Sequence, residues 1–463
     1  MSTPPPLAGG AQGPDALRPL LTATLDALRT GTTARGGPLP AGGPTAVAAR
    51  VREATGDVLP ARGEGAEASL RTLVHALAEG AADPADALCA AHLHCPPLAL
   101  AAAADLAASA LNPSMDSWDQ APAASEIETL VTRALATEAY GPGSADALVT
   151  TGGTESNQLA LLLARERTAA HGPVQLITGA NAHHSLGRAA WLLGMPEPVT
   201  IPAPAGVLDP AALDEALAEL NGPPGTFLVA ATAGTTDAGL IDPLDQIAGL
   251  CAAHGARLHI DAAYGGPLLF SDVRRDLLHG MERADSVTFD LHKLGWQPVA
   301  AGLLLVRDGH DLTALGHHAD YLNAGDDTEA GLPDLLGRSL RTTRRPDALK
   351  IAVTLKALGR EGIGALVDQV CDQAHEFAAL VAAHPGFELY DRPVISTVLF
   401  RPVDADDDHI AYVRRELLAQ GRAVLGRATI DGRRWLKATL LNPHTRPGDL
   451  AELLKLVEGT TPR

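Results

Sequence analysis

From Asp146 onward, the chain alternates short apolar runs with segments long enough to form helices. Six runs have the length of β-strands, namely DALVTT, VQLITG, TFLVAATA, ARLHIDAA, SVTFD and AGLLLVRD. Their apolar residues are nearly continuous, which is typical of strands buried on both faces of a sheet. The amphipathic segments between them favour helices packed against that sheet. The pattern therefore predicts an α/β fold with a mostly parallel sheet.

The pattern changes on both sides of this region. After TTRRPDALK come longer helical segments, the strand candidates FELYD, STVLF and RWLKATLL, and a helix near 447–458, which together predict a smaller α+β domain. The chain begins with a Pro/Gly-rich stretch to about residue 15, a helical segment near 17–29 and a second such stretch, GTTARGGPLPAGGPT. We predict an N-terminal helical segment with a disordered start (1–84), a large domain (85–345) and a C-terminal small domain (346–463).

Composition argues against several classes of protein. The 36 Lys and Arg against 55 Asp and Glu give a formal charge of −19, which disfavours binding to nucleic acid or to an anionic membrane. The four cysteines show no CxxC spacing, which favours reduced thiols in the cytoplasm. The first residues do not resemble a signal peptide, and the longest apolar run, LALAAAADLAASAL, is short and contains Asp105.

Two residues at the ends of strand candidates predict a cofactor site. Asp261 ends RLHID, where an unpaired buried carboxylate would be costly, and Lys293 follows SVTFDLH. A lysine amine can form a Schiff base with pyridoxal 5′-phosphate, and a carboxylate can keep the pyridine nitrogen protonated. Small Ala262 and Ala263 leave room for a flat ring. The alternatives are a salt bridge from Asp261 to an arginine and a solvated Lys293.

Three other strand ends carry polar groups. The turn TTGGT places Thr154 at a helix start, where backbone amides could hold a phosphate, although a Gly-Gly turn can serve packing alone. His183 and His184 could stack on a cofactor ring or cap the following helix. Thr235 and Thr236 could donate hydroxyl groups or belong to a structural turn.

A metal site is not expected. His92, His94 and Cys95 in AAHLHCPP are possible ligands, but no fourth ligand follows at a zinc-finger spacing.

Seven segments, taken in order, resemble landmarks of the group II pyridoxal-phosphate-dependent amino-acid decarboxylases. They are AAHLHCPP, SMDSWDQAPAASEIE, TTGGTESN, HIDAAYGG, DLHK, HADYLN and SLRTTRRPDALK. The resemblance covers about 85–460, and SMDSWDQ, LHKLGWQPV and HHADYLN favour the branch of diaminobutyrate and siderophore-type lysine decarboxylases. It implies fold type I, like aspartate aminotransferase, and a homodimer with active sites at the interface.

The resemblance also implies roles for individual residues. Lys293 would form the Schiff base, Asp261 would pair with the pyridine nitrogen and His183 would stack over the ring, and these three are the expected catalytic residues. Ala263 would pack beneath the ring. The expected cofactor-binding residues are Gly153, Thr154, His183, Thr236, Asp261, Ala263, His292 and Lys293.

The chain departs from the family pattern in three ways. The family's mobile catalytic loop would fall within about 324–340, where Leu335 takes the place of a tyrosine found in aromatic decarboxylases. Gly295 and Trp296 stand where the diamine branch often has two aromatic residues. Pro346 replaces the aromatic residue that usually follows the two arginines.

The predicted reaction is α-decarboxylation of an L-amino acid to an amine and carbon dioxide. A diamino acid such as 2,4-diaminobutyrate, ornithine or lysine is favoured by the branch, and Asp116 and Asp119 could attract its distal ammonium or could instead cap a helix. An aromatic amino acid is the first alternative. The others are an aldehyde-forming oxidative decarboxylase or aminotransferase, suggested by the missing tyrosine, and a non-catalytic scaffold.

Overall fold

The computed structural model describes residues 4–168 and 172–460, which form two sheets surrounded by helices. The described helices are α1 (Gly13–Arg35), α2 (Gly43–Thr55), α3 (Ala66–Gly80), α4 (Ala99–Leu111), α5 (Pro122–Tyr140), α6 (Gly153–Thr168), α7 (Ser185–Leu192), α8 (Pro210–Glu219), α9 (Leu244–His254), α10 (Gly325–Glu329), α11 (Ala348–Ala383), α12 (Asp407–Ala419) and α13 (Pro447–Thr460). The described strands are β1 (Cys89–Ala90), β2 (Asp146–Thr150), β3 (Gln175–Gly179), β4 (Val199–Ile201), β5 (Phe227–Thr232), β6 (Arg257–Ala262), β7 (Ser286–Asp290), β8 (Gly302–Val306), β9 (Phe387–Leu389), β10 (Thr397–Pro402), β11 (Val424–Ile430) and β12 (Arg433–Thr439).

The larger sheet has seven strands in the order β2-β8-β7-β6-β5-β3-β4. The neighbouring strands β7, β6, β5, β3 and β4 run parallel to one another. Strand β8 runs antiparallel to both of its neighbours, β2 and β7. All residues of β5, β7 and β8 are buried, as their continuous apolar sequences predict. The predicted α/β class with a mostly parallel sheet is confirmed.

The smaller sheet has the order β1-β11-β12-β10-β9 and packs with α11, α12 and α13. Two elements cross the division that the sequence suggests. Strand β1, at Cys89–Ala90, pairs with β11 although it lies in the segment predicted for the large domain. The N-terminal part of α11, as far as Cys371, packs in the core of the large sheet, and its C-terminal part packs in the core of the small sheet through Phe377 and Val381. The boundaries near 84 and 345 stay a prediction.

The N-terminal helices form a separate layer. Helices α1 and α3 pack on each other, and Arg35 donates to Ala78 O and pairs with Asp83. The helix predicted near 17–29 lies within α1, which begins at Gly13 inside the stretch expected to lack structure. The second Pro/Gly-rich stretch is partly helical, because α1 runs to Arg35 and α2 starts within it. Residues 1–3 of the predicted disordered start lie outside the described residues.

The parallel strands end at a common edge of the large sheet, where their turns carry polar residues. Ligands of open α/β sheets bind at this edge. None of the helices in the described ranges is long and apolar enough to cross a membrane.

Candidate active site

A cavity of about 310 Å³ opens at the carboxyl edge of the large sheet. The turns after β2, β3, β5, β6 and β7 contribute its walls, so residues far apart in the sequence meet there. The structure brings together all the cofactor-binding residues expected from the sequence, although their roles stay predictions. These lining residues are Gly153, Thr154, His183, Thr236, Asp261, Ala263, His292 and Lys293.

Asp261 is a buried carboxylate near the end of β6, with 5% of its surface exposed. Its Oδ2 accepts a hydrogen bond of 2.7 Å from Asn157 Nδ2, and its Oδ1 accepts one of 3.1 Å from the amide of Ala263. Within the described residues it forms no ion pair, so the alternative of a salt bridge to an arginine is not what holds it. Each oxygen retains acceptor capacity, which allows Asp261 to meet a cationic ligand atom in the cavity.

A polar network behind Asp261 fixes its orientation. Asn157, on α6, also donates to Ser185 Oγ at 2.9 Å, and its Oδ1 accepts from Thr288 Oγ1 at 2.6 Å and lies 3.0 Å from His259 Nε2. The side-chain nitrogen of Asn157 faces the Asp261 carboxylate, so the side-chain oxygen of Asn157 faces His259. Because this oxygen can only accept a hydrogen bond, Nε2 of His259 carries the proton. Burial lowers the pKa of His259 to about 4, so the ring is neutral at neutral pH.

His183 lies just beyond β3 and faces the cavity. Its Nδ1 accepts from the Ser185 amide at 3.3 Å and lies 2.7 Å from the Ser185 hydroxyl. Burial lowers the pKa of His183, and the Asp261 charge opposes that effect. The neighbouring His184 is exposed and makes no side-chain cap to α7. His183 therefore binds a helix-start amide, as the capping alternative expects, and also lines the cavity. Its stacking on a cofactor ring stays a prediction.

Lys293 and His292 surround a second buried acid, Asp290, which the sequence analysis missed. Asp290 Oδ2 lies 3.1 Å from Lys293 Nζ and 3.5 Å from His292 Nε2, and it accepts a 3.0 Å hydrogen bond from the amide of Gly153. Asp290 is 1% exposed, and its Oδ1 has no hydrogen-bond partner among the described residues. Burial lowers the pKa of His292, while Asp290 opposes the shift.

The turn between β2 and α6 requires glycine. Gly152 has a φ of +150°, and a Cβ there would lie 2.9 Å from His292 Cε1. A Cβ on Gly153 would lie 3.1 Å from Ala263 Cβ. Close packing against His292 and Ala263 therefore excludes side chains at both positions. The turn leads into the first turn of α6, where backbone amides and the helix dipole favour an anion.

The small domain reaches the rim of this cavity through Lys437 on β12. Its Nζ donates to Thr236 O at 2.8 Å, and burial lowers its pKa. The segment AAHLHCPP, which contains possible metal ligands, lies on another side of the cavity, where Leu93 lines it and Cys95 Sγ lies 3.2 Å from His292 O. In the parts of the chain that the structure describes, no three His, Cys, Asp or Glu side chains form a metal-binding group.

Comparison with known proteins identifies the family. The family described as "Pyridoxal-dependent decarboxylase conserved domain" matches residues 71–403. The chain belongs to this family. As a pyridoxal-dependent decarboxylase, it is 42% identical over 416 residues to L-2,4-diaminobutyrate decarboxylase of Rhizobium meliloti (strain 1021), covering 87% of this chain and 84% of that protein. It is 36% identical over 400 residues to the Acinetobacter baumannii protein of the same name, covering 79% of this chain and 78% of that one.

A solved structure from Vibrio parahaemolyticus has the same fold as this pyridoxal-dependent decarboxylase. It is the glutamate decarboxylase domain of diaminobutyrate-pyruvate transaminase and L-2,4-diaminobutyrate decarboxylase, with a TM-score of 0.87 and 31% identity over 98% of this chain and 97% of that one. These findings confirm fold type I, the resemblance to the diaminobutyrate branch and the assignment as a pyridoxal-phosphate-dependent amino-acid decarboxylase.

The cavity residues of the decarboxylase fit this cofactor. A buried carboxylate without a cationic partner suits a pyridine nitrogen, and the glycine turn at the start of α6 suits a phosphate. Lys293 Nζ and the His183 ring line the space between them.

The other candidate residues lie outside the cavity wall. Asp116 Oδ1 accepts from Gln120 Nε2 at 2.8 Å, and Asp119 Oδ1 accepts from Ser117 Oγ at 2.6 Å. Neither acid caps α5, whose N-cap is Ala121, so the capping alternative is wrong for this helix. Leu335 is buried but is not among the residues that line the cavity.

Proposed function

We propose that this decarboxylase acts on a diamino acid, with 2,4-diaminobutyrate, ornithine and lysine as candidates, and releases the amine and carbon dioxide. The observation that carries the proposal is the meeting of the Lys293 amine and the buried Asp261 carboxylate in one cavity. The choice of a diamino acid is supported by similarity to the two diaminobutyrate decarboxylases along most of the chain.

Three side chains perform the central tasks in this proposal. When bound, pyridoxal 5′-phosphate supplies the electron sink for the pair left by the departing carboxylate. Lys293, whose side chain lines the cavity, would present its amine to the cofactor's aldehyde group and would remain close to the bound substrate. Asp261, held by Asn157 and the Ala263 amide, keeps a proton at the pyridine nitrogen. His183 orients the ring from one face.

The remaining predicted residues bind and orient the cofactor. Ala263 would pack beneath the ring of the bound cofactor, because its small side chain leaves space for a flat group. Gly153 and Thr154 offer helix-start amides to the phosphate, and Thr236 and His292 contribute further phosphate or ring contacts. Orientation by these groups reduces the entropy lost on reaching the transition state.

We also infer a homodimer with active sites at its interface. The N-terminal helices support this proposal, because Leu25 and Leu28 of α1 and Leu73 and Leu77 of α3 are exposed on a layer that packs mainly on itself. Asp116 and Asp119 do not line the cavity of their own chain, so an attraction for the distal ammonium would have to act across such an interface.

A substrate panel tests the reaction. The purified enzyme with added pyridoxal 5′-phosphate should release carbon dioxide and a diamine from at least one of 2,4-diaminobutyrate, ornithine and lysine. Release of carbon dioxide from tyrosine but from no diamino acid would overturn the proposed substrate class.

A second experiment locates the cofactor. Borohydride trapping followed by mass spectrometry should place the cofactor on Lys293. Lys293→Ala should lose both signals, whereas Lys455→Ala, an exposed control on α13, should keep them.

The position of Leu335 favours one second candidate, an aldehyde-forming oxidative decarboxylation in which dioxygen is the oxidant and is reduced to hydrogen peroxide. A buried leucine offers no proton at the position where aromatic decarboxylases have a tyrosine. Hydrogen peroxide and ammonia released in step with carbon dioxide would support this route, and their absence beside a stoichiometric amine would exclude it.

A further inference from the structure

Asp290 places a negative charge in the part of the cavity that is suited to bind an anion. One of its oxygens, Oδ2, lies within 3.0 to 3.5 Å of the Gly153 amide nitrogen, Lys293 Nζ and His292 Nε2. A helix-start amide, an ammonium group and an imidazole are groups that proteins use to bind phosphate. In the structure, a carboxylate of the protein itself occupies them.

The second carboxylate oxygen shows that this arrangement leaves Asp290 poorly compensated. Oδ1 is buried and has no hydrogen-bond partner in the described parts of the chain. Asp261, in contrast, has a hydrogen-bond donor on each oxygen. The negative charge of Asp290 is therefore stabilised by the contacts of Oδ2 with Gly153, His292 and Lys293. A buried negative charge of this kind strongly opposes the binding of a second anion nearby.

We propose that Asp290 is an internal competitor for the cofactor's phosphate. In the cofactor-free protein its carboxylate holds the Gly153 amide, His292 and Lys293, and the phosphate binds only as the carboxylate gives up these contacts. The same exchange releases the Lys293 amine toward the cavity. This inference rests on the proposed cofactor site, and it makes Asp290 a positioning residue that limits cofactor affinity.

The Asp290→Asn variant tests the proposal, because it keeps the side-chain shape and an acceptor for the Gly153 amide but removes the charge. The probe is inorganic phosphate, titrated by calorimetry into the full-length protein stripped of cofactor. Since a hydrogen bond to a charged group contributes on the order of tenfold or more in affinity, Asp290→Asn should bind phosphate roughly tenfold tighter than the wild type. Pyridoxal 5′-phosphate, followed by fluorescence quenching, should show a gain in the same direction.

Two controls separate charge from other effects. Asp290→Glu keeps the carboxylate and should show no gain in phosphate affinity. Asp285→Asn removes a charge just before β7, at the opposite end of the strand from Asp290, and should leave phosphate affinity unchanged.

If Asp290→Asn is unstable in thermal melts, Asp290→Ser provides a second neutral variant, which should also bind phosphate more tightly than the wild type. Equal or weaker phosphate binding by a folded neutral variant would overturn the proposal. Failure of the wild type to take up pyridoxal 5′-phosphate at Lys293 would instead refute the proposed function, since the phosphate titration needs no cofactor.

Discussion

At the scale of single residues, His259 is a neutral imidazole buried behind the acid of the proposed mechanism. Its pKa falls from 6.5 to about 4 because burial disfavours the charged ring. Between these pH values the unfolded chain binds a proton at this position and the folded chain does not. The unfolding free energy should therefore decrease as the pH falls from 6.5 to 4, by about 3 kcal/mol from this residue.

Urea unfolding of the wild type and of His259→Asn at several pH values between 4 and 7 measures this contribution. The variant should be less stable at pH 7 but should show a shallower loss of stability on acidification. His279→Asn, at an exposed histidine, should keep the wild-type slope. An unchanged slope in His259→Asn would show that the acid sensitivity has another origin.

Some of these residues could be predicted from the sequence and others could not. Lys293 and Asp261 stand at strand ends, and His259 lies two residues before Asp261, so strand geometry places both side chains on one face. Asn157 gave no such signal, because its partner Asp261 is 104 positions away and only the packing of α6 on β6 brings them together. Asp290 ends the strand candidate SVTFD, but the sequence does not show that its carboxylate meets the amide of Gly153, which is 137 positions away.

At the scale of elements, the segment that follows the expected mobile loop is tied to the glycine turn. Arg341 Nε donates to Glu155 Oε1 at 2.9 Å, and Glu155 Oε2 accepts from the amide and hydroxyl of Thr151 at 2.6 and 2.8 Å. Thr151 lines the cavity. Because a partly exposed ion pair contributes up to about 1 kcal/mol, Arg341→Gln should weaken cofactor affinity roughly threefold to fivefold, measured by fluorescence titration.

Arg338→Gln is the matched control for this element. Arg338 lies three residues before Arg341, near the end of the expected mobile loop, and binds Asp146 and Ala147 O at the start of β2, away from the turn. It should leave cofactor affinity within about twofold of the wild type while lowering stability by a similar amount to Arg341→Gln. Equal loss of affinity in both variants would mean that the segment acts through general packing rather than through Glu155.

Elements with a clear apolar period could be predicted, whereas those stabilised by distant partners could not. The strands of the large sheet from β5 to β8 coincide with the predicted apolar runs. Strand β11 was missed because Gly426 and the exposed Arg427 interrupt its sequence, although its last residues alternate between exposed and buried. The two residues of β1 are too few to show any period, and pairing with β11 alone makes them a strand.

At the scale of the whole molecule, the N-terminal layer determines the expected assembly. Leu25 and Leu77 are 63% and 70% exposed, and together with Leu28 and Leu73 they form apolar stripes at helical spacing on α1 and α3. The two leucines of each helix are three or four residues apart and so share a helix face, and a second copy of the chain would bury them in a symmetric pair. The proposed homodimer therefore uses this layer.

Replacing Leu25 and Leu77 together by glutamate should dissociate the dimer. Each buried leucine contributes about 2 kcal/mol, and symmetry counts each of the two substitutions twice, for about 8 kcal/mol in total. The dissociation constant measured by analytical ultracentrifugation should therefore rise by several orders of magnitude. Decarboxylase activity should fall at the same protein concentrations, because the proposed active sites lie at the interface. Val403→Glu, at an exposed apolar residue of the small domain, should change neither property. A wild-type protein that sediments as a fully active monomer would contradict both the dimer and the interfacial site, and the exposed leucines would then need another partner.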